Sequence, residues 1–374
     1  MPLSRVFLDA SGSAPLTPRV HDALRAGYAD GWADPRRLSY ESRRAQSILD
    51  GAREAVADAV GNSPELTFLI PDAVLGLERA VTGMFSARRG RDRILVSSIE
   101  REVMLRSAEF VAAGVDTIPV DDHGHVDLEA LAAFAALPDA ALAAIQHANQ
   151  EIGTIQRLEA VAEILREHQV PLLVDATASI GHVEAPRHWD ALVAHPADWG
   201  GPSGVGVLAL RDRTRWLPAW PDNDPWAPGT VSIPLALAAA VALQERLDQA
   251  ESTRARLFAL VDRLRGLLAH LEGVAVVGDP VERLPHVLTA AFLYLDGEPL
   301  VSGLDREGFA VGSGSACGKA DFRPSHVLAA MGALSHGNLR LSLHPGISEA
   351  DVDRFVDALR RVIETTRQQM GASQ

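Results

Sequence analysis

Gly312-Ser313-Gly314-Ser315-Ala316-Cys317 places a single thiol at the end of a run of small and polar residues. An ionised cysteine is a strong nucleophile, and Lys319, two residues on, favours the thiolate where the two side chains meet. The plain alternative is a small core residue, since free cysteine is often buried. The flexible, polar setting argues for the reactive thiol. Cys317 is the chain's one cysteine, so no internal disulfide and no cysteine-rich metal centre can form. His182, His188 and His195 match no metal-ligand spacing, so no metal is expected. Of 35 basic residues all but Lys319 are arginine, so amine chemistry has one candidate.

The elements around these residues read as α/β architecture with a mainly parallel sheet, because short apolar runs alternate with longer helical patterns. Strands are predicted at Ile94–Ser97, Thr117–Val120, Leu142–His147, Pro171–Asp175 and Val205–Leu210, with helices at Ser47–Val60, Leu128–Ala136 and Leu158–His168. Trp216 to Trp226 is a proline-rich loop whose three tryptophans suit a packing plug or a contact surface. A long helical pattern follows from Ile233 to Leu271, stopped by Gly273. Strands at Val274–Val277, Val287–Tyr294 and Leu339–Leu343 then alternate with helices at Glu298–Leu304, Pro324–Met331 and Glu349–Thr366, with the tail frayed beyond. The expected division is a large domain of residues 16–250 and a smaller α+β domain of residues 1–15 and 251–374.

The chain has 374 residues, 47% of them hydrophobic and 22% charged, the profile of a folded protein of about two domains. No apolar run approaches the ~20 residues of a membrane span, and the start lacks a signal peptide's pattern. The expectation is cytoplasmic. A net charge of −14 argues against a nucleic-acid partner, whose phosphates attract basic surfaces.

Several stretches resemble the class V aminotransferases, and the cysteine desulfurases among them. Phe7-Leu8-Asp9, Pro15-Leu16-Thr17-Pro18, Asp34-Pro35 and Ala52-Arg53-Glu54-Ala55-Val56 are similar to the family's opening. His147-Ala148-Asn149-Gln150-Glu151-Ile152-Gly153, Val174-Asp175-Ala176-Thr177-Ala178-Ser179-Ile180-Gly181 and Gly201-Pro202-Ser203-Gly204-Val205-Gly206 continue the likeness. Gly312 to Cys317, Pro324-Ser325-His326 and Asn338-Leu339-Arg340-Leu341-Ser342 carry the desulfurase signature. The resemblance implies fold-type I, with a mainly parallel seven-stranded sheet in the large domain, and a dimer with shared active sites.

It further implies pyridoxal phosphate held as a Schiff base on a lysine, with a loop cysteine that takes sulfur from a cysteine substrate as a persulfide. Cys317 matches the persulfide carrier and Asp175 the partner of the ring nitrogen. Arg340 matches the arginine for the substrate carboxylate, near Gln150, and Gly229-Thr230 the stretch lent to the neighbouring subunit's cofactor phosphate. Other positions depart. His195-Pro196-Ala197-Asp198 aligns with the family's Ser-x-His-Lys, so Asp198 stands at the lysine. Glu100 stands at the ring-stacking histidine and Ala178 at a cofactor-contacting glutamine. Asp72, after Pro71, stands in the phosphate cup, where a like-charge pair at ~4 Å and an effective dielectric of ~20 costs roughly 4 kcal/mol. On these departures the expectation is no bound cofactor and a non-catalytic partner or persulfide relay. Such a chain would pair with itself or an active paralogue and serve a sulfur-acceptor protein. The alternative is an enzyme that still binds pyridoxal phosphate or another ligand in the cleft. An emptied pocket would let Arg340 pair with Asp198 or Glu100.

Overall fold

Ala140–Gln146 is buried at all seven positions, as a strand must be when both faces of its sheet are covered. In the computed structural model, which describes residues 5–217, 231–313, 324–333 and 337–371, this strand lies inside a seven-stranded sheet. Twelve strands are present among the described residues: β1 (Val6–Phe7), β2 (Thr67–Ile70), β3 (Arg93–Ser97), β4 (Gly114–Ile118), β5 (Ala140–Gln146), β6 (Leu172–Asp175), β7 (Ala191–Ala194), β8 (Gly206–Leu210), β9 (Val274–Val277), β10 (Val287–Phe292), β11 (Phe309–Ala310) and β12 (Asn338–Ser342). The large sheet runs β2-β8-β7-β6-β5-β3-β4. Only β8 opposes its neighbours, pairing antiparallel with β2 and β7. The expected mainly parallel sheet is therefore observed.

Register aligns the strand ends. Gln146 pairs with Asp175 and Asp175 with Val193, so β5, β6 and β7 finish at one level. Apolar faces of the helices Tyr40–Val60, Leu158–Glu167 and Ile233–Asp248 cover one side of the sheet, and Ala73–Ser86 with Glu102–Val111 cover the other. A second antiparallel sheet, β12-β10-β9, has a separate core with the helices Ala250–Ala269, Gly297–Arg306 and Glu349–Gly371. The chain start joins this unit, because β1 pairs with β11. Among the described residues no helix is long and apolar enough to cross a membrane.

Three local expectations change. The pattern from Ile233 to Leu271 is two helices, Ile233–Asp248 and Ala250–Ala269, because Gln249 leaves helical geometry at φ −110° and ψ 9°. The last helix does not fray after Thr366 but reaches Gly371. Thr366 is buried, and Arg367 Nη2 donates to the Glu272 carbonyl at 2.7 Å, which pins the final turns. β7 is absent from the predicted strands, since Ala-Leu-Val-Ala is apolar throughout and mostly helix formers, so neither alternation nor β-propensity marks it as a strand. In the tryptophan loop Trp216 is a packing residue: its ring lies where a Cβ on Gly83 would come within 2.8 Å. Trp220 and Trp226 lie outside the described residues.

β8 passes hard against the start of the Ala73–Ser86 helix. A Cβ on Gly206 would lie 2.6 Å from Ala73 N and 2.7 Å from the Asp72 carbonyl carbon, both backbone atoms with little freedom to yield. Gly206→Ala is expected to destabilise the fold by about 1–3 kcal/mol, read from the urea midpoint. An unchanged midpoint would contradict this packing.

Candidate active site

Crevices at the carboxyl ends of parallel strands are the usual ligand sites of such sheets. Here the residues just past those ends are Asp72 after β2, Glu100 after β3, His147 to Gln150 after β5, Asp175 closing β6, and His195 to Asp198 after β7. The sheet alone brings together most of the side chains singled out in the sequence.

Asp175 is buried, and its Oδ1 accepts from Thr177 N at 2.8 Å and Thr177 Oγ1 at 2.6 Å. Its Oδ2 lies 3.1 Å from Arg101 Nε. The two form an ion pair but no hydrogen bond, and Oδ2 and Arg101 Nε are both buried without one. Glu100, next to Arg101, is wholly buried. Its Oε1 accepts from Ser97 Oγ at 2.6 Å and from Gln146 N at 2.9 Å, while Oε2 has no partner. Burial, with the nearby Asp175 charge adding, pushes the Glu100 carboxyl up to about 8 against the hydrogen bonds that favour its ionised form. His147 is held near 4 by burial, and its Nδ1 meets Ser179 Oγ at 2.9 Å.

Asp198 is also buried, in the short turn Pro196–Trp199. Its Oδ1 accepts from Gly12 N at 2.9 Å and its Oδ2 lies 2.9 Å from His195 Nδ1. The Asp198 carbonyl accepts from His182 Nε2 at 2.7 Å. Arg340 does not pair with Asp198 or Glu100. Its Nη2 donates to Asp9 Oδ1 at 2.7 Å, and its Nε is buried without a partner. The reason is chain geometry: Asp9 bridges to Ser342, two residues from Arg340 on β12. The segment from Asp9 to Gly12 thus touches both Arg340 and Asp198, tying the two ends of the site to one stretch.

Asp72 takes up the helix start at the position of the family's phosphate cup, its Oδ1 accepting from Val74 N at 2.8 Å and Leu75 N at 3.1 Å. Ala178 is buried with Ala148, Leu284 and Val287. Gln150 is half-buried in the turn after β5. Cys317, Lys319, Gly229 and Thr230 lie outside the described residues. The sequence reading missed Arg101 as partner of Asp175 and Asp9 as partner of Arg340. Arg101 carried one signal, a cation directly after the buried Glu100; Asp9 carried none, since its partner is 331 residues away.

The aminotransferase class-V family model matches residues 6–355. The chain belongs to that family. Cysteine desulfurase IscS 1 of Archaeoglobus fulgidus is 31% identical over 376 residues, covering 96% of this chain and 97% of that protein. Cysteine desulfurase IscS of Dictyoglomus turgidum is 28% identical over 377 residues, covering 97% and 95%. Among solved structures, a NifS-like protein superposes with a TM-score of 0.89 at 24% identity, covering 96% of this chain and 100% of that one. An apo cysteine desulfurase from Thermococcus onnurineus NA1 gives 0.86 at 22%, covering 96% and 95%. These structures share the fold.

Membership corrects the expectation of no cofactor. The family and its desulfurase members work with pyridoxal phosphate, so this is the group to test against the cleft. The orphaned, buried Asp175 Oδ2 fits a protonated ring nitrogen. An amine for a covalent link is not present among the described residues, and Asp198, a carboxylate, cannot form an imine.

Glu100 gives the site a pH signature. Its folded value, about 8, lies above the ordinary 4.5. The unfolded chain therefore releases this proton first as pH rises, and stability falls from about 4.5 to about 8 before levelling. The loss is on the order of a few kcal/mol. Glu100→Gln keeps an Oε1 acceptor and is expected to flatten this slope in urea unfolding measured at pH 5 to 9. An identical slope in the variant would contradict the assignment.

Proposed function

We propose that this chain is a sulfur-transfer protein of the cysteine desulfurase type whose cleft takes pyridoxal phosphate without a covalent lysine link. The observation that carries the reading is Asp175 Oδ2, buried at the end of β6 and short of a donor. A protonated ring nitrogen provides that donor, and a charge-assisted hydrogen bond is about twice as strong as a neutral one. When bound, the group supplies an electron sink for bonds at the α-carbon of an amino acid.

The chain's own residues then divide the work. Arg101 balances the charge of Asp175 from 3.1 Å. Asp198 orients His195 through Nδ1, and His195 Nε2, with no partner among the described residues, is the atom placed to carry a proton where the family has an amine. Arg340, anchored on Asp9, keeps its unpaired Nε for a substrate carboxylate, with Gln150 beside the cleft. Cys317 accepts the sulfur as a persulfide, and Gly229 and Thr230 of a second copy or a paralogue hold the cofactor phosphate. A second reading, a non-catalytic partner of an active paralogue, is favoured by Asp198 at the lysine position and by Asp72 on the helix start of the phosphate cup.

The test is a pyridoxal phosphate titration followed in the visible range, then borohydride reduction and peptide mass analysis. The expected result is a bound band, shifted from free pyridoxal phosphate and lost on gel filtration, with no added mass at residue 198. Asp198→Lys is expected to retain the band and to carry the label at residue 198. No bound band in either protein would overturn the reading and leave the non-catalytic one. A label on Lys319 of the unaltered chain would overturn the unlinked mode of binding.

A further inference from the structure

At the opposite edge of the large sheet, where β6 and β7 begin, the surface folds into a recess of about 530 Å³. Arg88, Arg166, Arg187, Arg213 and Arg215 line it, with Asp190 the one carboxylate in its wall. A second recess of about 660 Å³ shares Arg88 and Arg215 and adds Arg89 and Arg91. Seven guanidinium groups thus converge on one pole of a chain whose net charge is −14.

These cations are poorly neutralised. Asp190 spends Oδ2 on Leu172 N at 2.8 Å. Arg187 pairs with Glu184, and Arg88 Nη2 donates to the Gln169 carbonyl at 2.8 Å. The side chains of Arg89, Arg166, Arg213 and Arg215 make no ion pair or hydrogen bond among the described residues. Burial pushes the Arg88 guanidinium below its usual range, and the Arg91 and Arg215 charges push the same way. Like charges held together in a concavity concentrate the field and favour a counter-anion.

We propose that this recess is a binding site for a small oligophosphate, an anion with at least two linked phosphoryl groups. Planar guanidinium forks match phosphate oxygens in pairs, and the volume is that of a small-ligand pocket. An extended nucleic acid is disfavoured by the chain's net charge of −14. The site is separate from the cleft, whose residues lie past the other ends of the same strands.

The full chain is titrated with tripolyphosphate by calorimetry at fixed ionic strength, with inorganic phosphate and sulfate as controls. Saturable binding is expected for tripolyphosphate, with the two controls much weaker. Arg213→Gln with Arg215→Gln alters exposed side chains that hold nothing in the fold. This double variant is expected to keep its thermal midpoint without ligand, to keep its pyridoxal phosphate spectrum, and to bind tripolyphosphate at least about tenfold more weakly. Equal binding by the variant, or no saturable binding by the unaltered chain, would overturn the proposal. So would tighter, competing binding of an acidic polypeptide or duplex DNA, which would assign the surface to a macromolecule.

Discussion

A buried carboxylate oxygen lacking a donor is costly, and Asp175 carries one, its Oδ2, at the centre of the sheet's carboxyl edge. Its neighbours only partly compensate. Thr177 satisfies Oδ1, and Arg101 offers charge to Oδ2 without a hydrogen bond. Oδ1 has a local role in the turn after β6, where it holds Thr177, but Oδ2 has no hydrogen-bonded role in the fold. The position makes physical sense as half of an interaction whose other half is a cationic ligand.

The other acidic residues at the crevice are each accommodated in a different way. Glu100 holds its proton past neutrality chiefly because it is wholly buried, with the Asp175 charge a smaller push in the same direction. Asp198 is kept apart from both by being claimed at each oxygen, by Gly12 and by His195. Asp72 spends its charge on the start of a helix, where it is favourable. Four acidic residues at one crevice are thus tolerated through four separate arrangements. Arg340 is drawn to Asp9, and its Nε stays buried without a partner.

Much of this was legible from the residues themselves. The strands end where chemistry-bearing residues begin, so locating β3, β5 and β6 was enough to gather Glu100, Gln150 and Asp175 into one place. β7 goes unpredicted, its Ala-Leu-Val-Ala being apolar throughout and mostly helix formers, yet the likeness of His195 to Asp198 to the family pattern identified its end. The partners were not legible. Arg101 and Asp9 act through pairing in space, which sequence spacing does not encode. The expectation of an absent cofactor went wrong by giving the changed residue types at Asp198, Glu100, Ala178 and Asp72 more weight than the retained Asp175, whose Oδ2 only the packing reveals to be without a hydrogen bond. Gln249 shows the same limit on a smaller scale, since one residue's dihedral angles split a continuous helical pattern.

The central claim is that Asp175 holds the cofactor ring, and the most direct measurement compares the pyridoxal phosphate affinity of the unaltered chain with that of Asp175→Asn. Asparagine keeps an Oδ1 acceptor for Thr177 and removes the charge opposite the ring nitrogen. The account predicts weaker binding by about ten- to a hundredfold, with the fold intact by circular dichroism. Equal affinity in the two proteins would contradict it.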